Sequence, residues 1–312
     1  MRSARSLAVA ALALVALGGC GVGAGDSSDE AVNLTVTLDF GATDLVAEDL
    51  DGVPESETVM RLLQRNAETK TRYGGAFVRC IEGHCGASGG KNVDWLYFVN
   101  GSEAPKGAAA TKVRGGDRIW WDRRDWTATQ RVPAVVGSFP EPFVHGPGTP
   151  KRMPVRVECV DLESEPCEAV VDALVAFDVP AAKGTLRRSI TSETLRVLVG
   201  PWAALRDDNA LALLESGPQA SGVFAEPRAD GRGIALLGAR GGAVRTLGPG
   251  GGLIAATAAG DDPPVWAVTG TDDAGVLAAA RAFGVKGLRN RFAVAVEGTD
   301  VMALPLAEAP SP

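Results

Sequence analysis

The stretch Val93-Asp94-Trp95-Leu96-Tyr97-Phe98-Val99-Asn100-Gly101, continued through Gly107 and Gly115-Gly116-Asp117-Arg118-Ile119-Trp120-Trp121 to Trp126, decides how this chain is read. It gathers Trp95, Trp120, Trp121 and Trp126, with Tyr97, in a sequence that is only 5% aromatic. An apolar-aromatic run that ends in Asn-Gly signals a tight turn. Aromatic and β-branched residues favour a pleated, half-buried surface. The pattern predicts two strands joined by a loop, with rings displayed near that loop. Adjacent side chains on a strand point to opposite faces. Trp120 and Trp121 therefore cannot enter one core, and at least one is expected to be exposed or to cover a groove.

Upstream, Val32 to Phe40 alternates Leu34, Val36 and Leu38 against Thr35 and Thr37, which predicts a half-buried strand. Residues 44–51 form a second, weaker extended stretch. Val59, Leu62, Leu63 and Ala67 recur at helical spacing, with Ser56 or Thr58 as the cap and Glu57 at the positive end. A further strand is expected over 76–82, after Tyr73-Gly74-Gly75. One helix on a small mixed sheet is an α+β arrangement.

Taken in order, Thr58-Val59-Met60-Arg61-Leu62-Leu63, Tyr73-Gly74, Trp95 to Gly101, Gly107 and Gly116 to Trp121 resemble the transcobalamin C-terminal-like domain. The resemblance runs from about Leu34 to Trp126 and implies a β-grasp-like fold over residues 32–131. In that family this domain is the small half that closes over a corrinoid. The resemblance thus implies corrinoid binding. Exposed large aromatics mark recognition of flat ligands, so Tyr73, Trp95, Tyr97, Asn100, Trp120, Trp121 and Trp126 are the candidate ligand-contacting residues, against the alternative that the rings pack on the second domain or the Pro-rich arm. The larger helix-pair barrel of that family has no counterpart here, so a separate barrel-type partner is implied. The insertion from Glu82 to Lys91 also departs from the family pattern.

The N-terminus gives a cellular address. Met1-Arg2-Ser3-Ala4-Arg5 is basic, Leu7 to Leu17 is apolar, and Leu17-Gly18-Gly19-Cys20 follows. A basic head, a short apolar core and small residues before the cut define an export signal. The ending resembles the lipobox of bacterial lipoproteins, which implies a signal peptide over 1–20 and lipidation of Cys20. The expected localisation is the extracytoplasmic face of the cell membrane. Residues 21–31 then form a Gly/Ser/Asp tether. Four cysteines remain, Cys80, Cys85, Cys159 and Cys167. In an exported chain an even number reads as disulfides, and the local pairs are the simplest of three connectivities. Cys80, His84 and Cys85 could instead hold a metal, but a fourth ligand is missing.

With 46% hydrophobic and 22% charged residues, the chain has the composition of a globular protein. A net charge of -7 argues against nucleic acid, and two His exclude a multi-His metal centre. Residues 132–154, with Phe139-Pro140-Glu141-Pro142-Phe143, read as a stiff linker or extended arm whose two Phe could pack it against a domain.

Residues 155–307 alternate in type and predict an α/β layered domain, ahead of a loose tail over 308–312. Strands are expected over 155–160, 195–199, 234–237, 265–269 and 292–296. Helices are expected over 165–177, 202–214 and 253–259, and from Asp272 under a Thr271 cap. Gly248-Pro249-Gly250-Gly251-Gly252 lacks the spacing of a dinucleotide fingerprint. Asp261-Asp262 and Asp272-Asp273 sit where Asp is favoured for local reasons. No Ser, His and Asp set assembles. The expectation is a non-enzymatic, lipid-anchored ligand-binding protein without a cofactor of its own. It would capture a corrinoid for an uptake system. The alternative is a cell-envelope adhesion or interaction protein that binds glycan or protein.

Overall fold

The computed structural model describes residues 28–87, 92–148, 151–187 and 193–307. The export signal, Cys20, most of the tether, the tip of the insertion and the tail lie outside the described residues. The architecture is α+β.

The N-terminal region begins with β1 (Val32–Leu38), β2 (Thr43–Leu50), helix α1 (Val59–Asn66), β3 (Thr69–Arg72), β4 (Phe77–Ile81) and β5 (His84–Cys85). It ends with β6 (Val93–Val99), β7 (Ser102–Glu103) and β8 (Arg118–Asp125). One sheet has the order β2-β1-β8-β6-β7, and β3-β4-β5 form a separate antiparallel sheet. β1 runs parallel to β8, while β6 pairs antiparallel with β8, placing Tyr97 opposite Trp121 and Phe98 opposite Trp120. Thr58 caps α1 by accepting from the Arg61 N–H at 3.3 Å. The buried Glu57 pairs with Arg61 and Arg65 across the first turns.

One face of this sheet packs Val36, Trp95, Ile119 and Trp121 against Val59, Leu62 and Leu63 of α1. The other face is also covered. Phe40, Phe98 and Trp120 join Trp202, Phe224 and Phe292 in one continuous core. The Phe292 ring centroid lies 5.2 Å from Phe40, 5.5 Å from Phe98 and 5.3 Å from Trp120, all edge-on. A buried aromatic removes about 150–250 Å² from water, worth at most roughly 4–6 kcal/mol at about 25 cal/mol per Å². Few such rings therefore suffice to weld the two regions.

The C-terminal region carries β9 (Val155–Cys159), α2 (Glu165–Val175), β10 (Ala181–Thr185), β11 (Leu195–Pro201), α3 (Trp202–Leu205) and α4 (Pro218–Ser221). After β12 (Ala225–Pro227), β13 (Ile234–Leu237) and β14 (Ala243–Leu247) come β15 (Gly251–Thr257) and β16 (Val265–Gly270). It closes with α5 (Asp273–Ala282), α6 (Val285–Leu288), β17 (Ala293–Glu297) and β18 (Asp300–Leu304). The main sheet has the order β10-β9-β11-β16-β15-β17-β18. Its first four strands are parallel neighbours and the rest antiparallel. α2 and α5 cover one face.

Several sequence expectations are corrected here. Residues 253–259 are not a helix: β15 is a fully buried strand, and an Ala-rich run between two sheet neighbours suits close packing as well as it suits a helix. The expected helix over 202–214 breaks into α3 and a separate 3₁₀ segment, Leu211–Ser216. Between them the Asp208 carboxylate accepts from the Ala210 and Leu211 N–H groups and favours a turn over helix continuation. Asp272, not Thr271, caps α5: one carboxylate oxygen accepts from the Gly275 N–H at 2.9 Å, the other from the Gly250 N–H at 2.8 Å. Beyond the expected strand over 292–296 lies a further hairpin strand, β18, whose sequence carries no alternation. Gly275 lets α5 sit on β15, since a Cβ there would lie 2.2 Å from the Gly251 carbonyl oxygen.

The expected linker is instead part of the core. Phe139 and Phe143 are buried beside Trp266 and Phe283, with ring centroids 5.0 Å apart for Phe139–Phe283 and Phe143–Trp266. The Pro-Phe spacing reads as a stiff arm, but apolar side chains on a stiff arm are also what a core can seat. The Cys80–Cys85 and Cys159–Cys167 disulfides are both present, so the Cys80/Cys85 sulfurs are bonded to each other and are not thiolate ligands.

Candidate functional site

The candidate residues fall into two sets. Trp95, Trp120 and Trp121 are buried, Tyr97 and Trp126 are half-buried, and Asn100 is fully buried. Only Tyr73, at 82% exposure, stands out in water. The expectation that at least one of Trp120 and Trp121 would be exposed or cover a groove is corrected. They do point to opposite faces, but each face has its own core.

Each buried candidate has its polar atoms engaged or its ring stacked. The Trp95 indole donates to the His84 carbonyl at 2.9 Å, fixing the β5 hairpin over β6. Trp120 donates to Thr37 Oγ1 at 2.8 Å. Trp121 stacks on Tyr97 with centroids 4.7 Å apart. The Tyr97 hydroxyl meets Thr111 Oγ1 at 2.8 Å, and burial pushes its pKa up. The Trp126 indole donates to Asp94 Oδ2 at 3.0 Å.

Asn100 is a hub of the fold. It adopts φ 53°, a conformation that Asn tolerates better than most residues. Its Nδ2 donates to Asp117 Oδ1 at 2.9 Å and to the Gly146 carbonyl at 3.0 Å, and its Oδ1 accepts from the Arg118 N–H at 2.7 Å. Those bonds tie the β6 end to β8 and to the Pro-rich segment. Burial raises the Asp117 pKa against the bonds that it accepts.

The adjacent Arg123 and Arg124 of β8 are likewise split. Arg123 Nε donates to the Cys85 carbonyl at 2.7 Å. Arg124 is fully buried, its guanidinium 5.3 Å from the Phe98 centroid and 5.2 Å from that of Phe292. Desolvation drives its pKa down, opposed by Asp122 and Glu103. Asp122, also fully buried, accepts from Thr37 Oγ1 at 2.6 Å and from the Phe40 and Gly41 N–H groups, holding the β1–β2 turn that delivers Phe40 to the shared core. Desolvation pushes its carboxyl pKa upward.

The exposed large apolar side chains of this region lie on the β3–β4 hairpin. Arg72, Tyr73 and Phe77 at its tip are exposed, Phe77 to 47%. Tyr73 has φ 53° and leads into Gly74 and Gly75, both at positive φ, so the turn throws the ring outward. A shallow depression of about 20 Å³ beside it is bordered by Arg72, Phe77, Arg79 and Asp94. Phe77 and Arg79 were missed as candidates, although their alternation with buried Val78 and Cys80 marks an outward-facing side of β4.

One match to a family model falls on this same region. Residues 56–124, from just before α1 into β8, match the model of a domain of unknown function (DUF4430). The chain is similar to the crystal structure of a protein from Ruminococcus gnavus ATCC 29149 described as a candidate metal-binding protein. The identity is 15%, over 31% of this chain and 97% of that one, with a TM-score of 0.25. It is also similar to haptocorrin in complex with Cbi, at 18% identity and a TM-score of 0.23, over 31% of this chain and 26% of haptocorrin. No curated protein matches.

Proposed function

We propose that this chain is a non-enzymatic, lipid-anchored binding protein on the extracytoplasmic face of the cell membrane, and that the β3–β4 hairpin is where it meets its ligand. The supporting observation is the exposure of both Tyr73 and Phe77 on one hairpin that also carries the exposed Arg72 and Arg79. Exposed rings with a polar rim suit flat amphipathic surfaces. A corrinoid captured for an uptake system is the ligand that the resemblance to the transcobalamin C-terminal-like domain implies. The depression at the hairpin, about 20 Å³, is far below the roughly 300–1,000 Å³ of a ligand pocket, so a separate partner would supply the opposing wall. The same shallow surface favours a second reading, in which the hairpin contacts an envelope glycan or protein directly. Cys20 would hold the chain at the membrane through its acyl chains.

The test is isothermal titration of the full chain in non-ionic detergent with cobalamin and cobinamide, for the natural sequence and for Tyr73→Ala/Phe77→Ala. Saturable heat that the double variant loses supports capture at the hairpin. Binding that survives in the double variant removes the hairpin as the contact. No heat with either corrinoid, together with hairpin-dependent binding to cell-wall material, transfers the function to the second reading.

A further inference from the structure

A cavity of about 410 Å³ opens in the C-terminal region, remote from the hairpin, at the carboxyl ends of β9 and β11. From β9 the chain leaves through α2 to β10 on one side of the sheet. β11 has its parallel partner β16 on the other side, reached by a long excursion through β12 to β15. The gap between β9 and β11 is therefore the point where the strand order reverses, which is where open α/β sheets leave a crevice outside their carboxyl ends. The first turns of α2 and α5 form its sides, and its volume lies within the range of small-molecule sites.

The cavity is built rather than left over. The Cys159–Cys167 disulfide closes the loop that supplies Asp161 and Ser164, while the Val160 N–H still donates to the Val199 carbonyl at 3.0 Å. Gly200 makes room for the Val160 side chain, since a Cβ there would stand 2.3 Å from Val160 Cγ2. Val160 is 48% exposed, and with Val199 and Leu277 it gives the cavity an apolar wall.

The charge of the rim selects the ligand. Helix starts ordinarily attract anions through free N–H groups. Here that capacity is partly used, and the full charges of two rim carboxylates outweigh the roughly half a charge that each helix start carries. Asp272 takes the Gly275 N–H of α5, Pro166 in the first turn of α2 has no N–H, and Asp161 Oδ1 takes the Glu163 N–H. The charged residues lining the opening are the exposed Asp161 and Asp273, while the Ser164 hydroxyl donates to the Asp161 carbonyl at 2.8 Å. Neither carboxylate has a cationic partner among the described residues. Nor do three or more His, Cys, Asp and Glu side chains gather there in a way that could hold a metal ion.

We infer that this cavity is a second binding site, for a small organic ammonium ion with an aliphatic body. The ammonium group sits between Asp161 and Asp273 and the body lies on Val160, Val199 and Leu277. The site is independent of the hairpin reading.

The experiment uses the full chain in non-ionic detergent with valine and leucine methyls labelled, titrated by nuclear magnetic resonance with n-butylammonium, n-butanol and butyrate in parallel. The expected result is saturable movement of the Val160, Val199 and Leu277 methyls with butylammonium, at least ten-fold weaker with butanol and absent with butyrate. Asp161→Asn/Asp273→Asn, whose altered side chains are exposed, should weaken butylammonium at least ten-fold while the melting temperature and the remaining methyl spectrum stay as they are. Equal response to butanol would reduce the site to an apolar cleft and overturn the inference. Preference for butyrate would overturn it in favour of an anion site at the helix starts, and no movement of these methyls would remove the site altogether. Tyr73→Ala/Phe77→Ala should leave the butylammonium response unchanged, so the two sites fail or stand separately.

Discussion

The β6–β8 ladder and the β3–β4 hairpin belong to one small region, yet they use aromatic side chains in opposite ways. The ladder holds Trp95, Phe98, Trp120 and Trp121, all buried. The hairpin holds Tyr73 and Phe77, both in water. Aromatic density in this chain therefore marks where the fold is welded, and the isolated rings beside a tight turn mark where it is open. The reason is area. A strand flanked on both faces by packing partners can bury every ring that it carries, whereas a two- or three-stranded edge sheet has no second layer to receive its outward residues.

The sharpest way to break this comparison is Trp120→Ala. The ring is fully buried against Phe98 and Phe292 and bonds Thr37. Its loss should cost about 3–5 kcal/mol of unfolding free energy, measured by denaturant titration. A loss under about 1 kcal/mol would mean that the shared core between the two regions is not what holds them. Next comes Asn100→Ala, which strips three buried hydrogen bonds and puts a Cβ-only residue at φ 53°. About 2–4 kcal/mol should be lost without any change in accessible aromatic surface.

A smaller, pH-dependent effect is expected at His145. Its Nδ1 lies 2.6 Å from Glu141 Oε1 and its Nε2 3.1 Å from Glu30 Oε2, so it links the Pro-rich segment to the entry of β1. The hydrogen bond to Glu141, with the charges of both carboxylates, raises its pKa above the ordinary imidazole value. A raised folded pKa contributes stability that is complete below the unfolded pKa and is lost as pH rises through the folded one. His145→Ala should thus cost about 1 kcal/mol near pH 5.5 and little near pH 9, read as the difference in melting temperature from the natural sequence at each pH. The reverse order would sink the assignment. Smallest of all, Tyr73→Ala and Phe77→Ala should move stability by no more than about 0.5 kcal/mol, measured in the same titrations. A larger loss would show that the hairpin rings support the fold and would remove the contrast drawn above.

Much of this was legible in order and period. The alternation of Leu34, Val36 and Leu38, the helical recurrence of Val59, Leu62 and Leu63, and the Asn100-Gly101 turn each follow from local geometry. The local spacing of the four cysteines after Cys20 is likewise a linear signal, and both local pairs form. What period could not show was solvent. Trp120 and Trp121 were correctly divided between two faces, but the second face is covered by residues more than eighty positions downstream, Trp202, Phe224 and Phe292 among them. The packing of Phe139 and Phe143 on a domain was legible but their partners Trp266 and Phe283 were not, and the same distance turned the Ala-rich run after Gly252 from an expected helix into a buried strand. The cavity between β9 and β11 has no linear signature, because it is made by strand order and by two helix starts that only the sheet brings together. The sequence by itself determined the α+β composition, the local strands and turns, and the residues with rings to spend. The tertiary structure alone decided which rings are spent on cohesion, because burial depends on what long-range packing lays over each face.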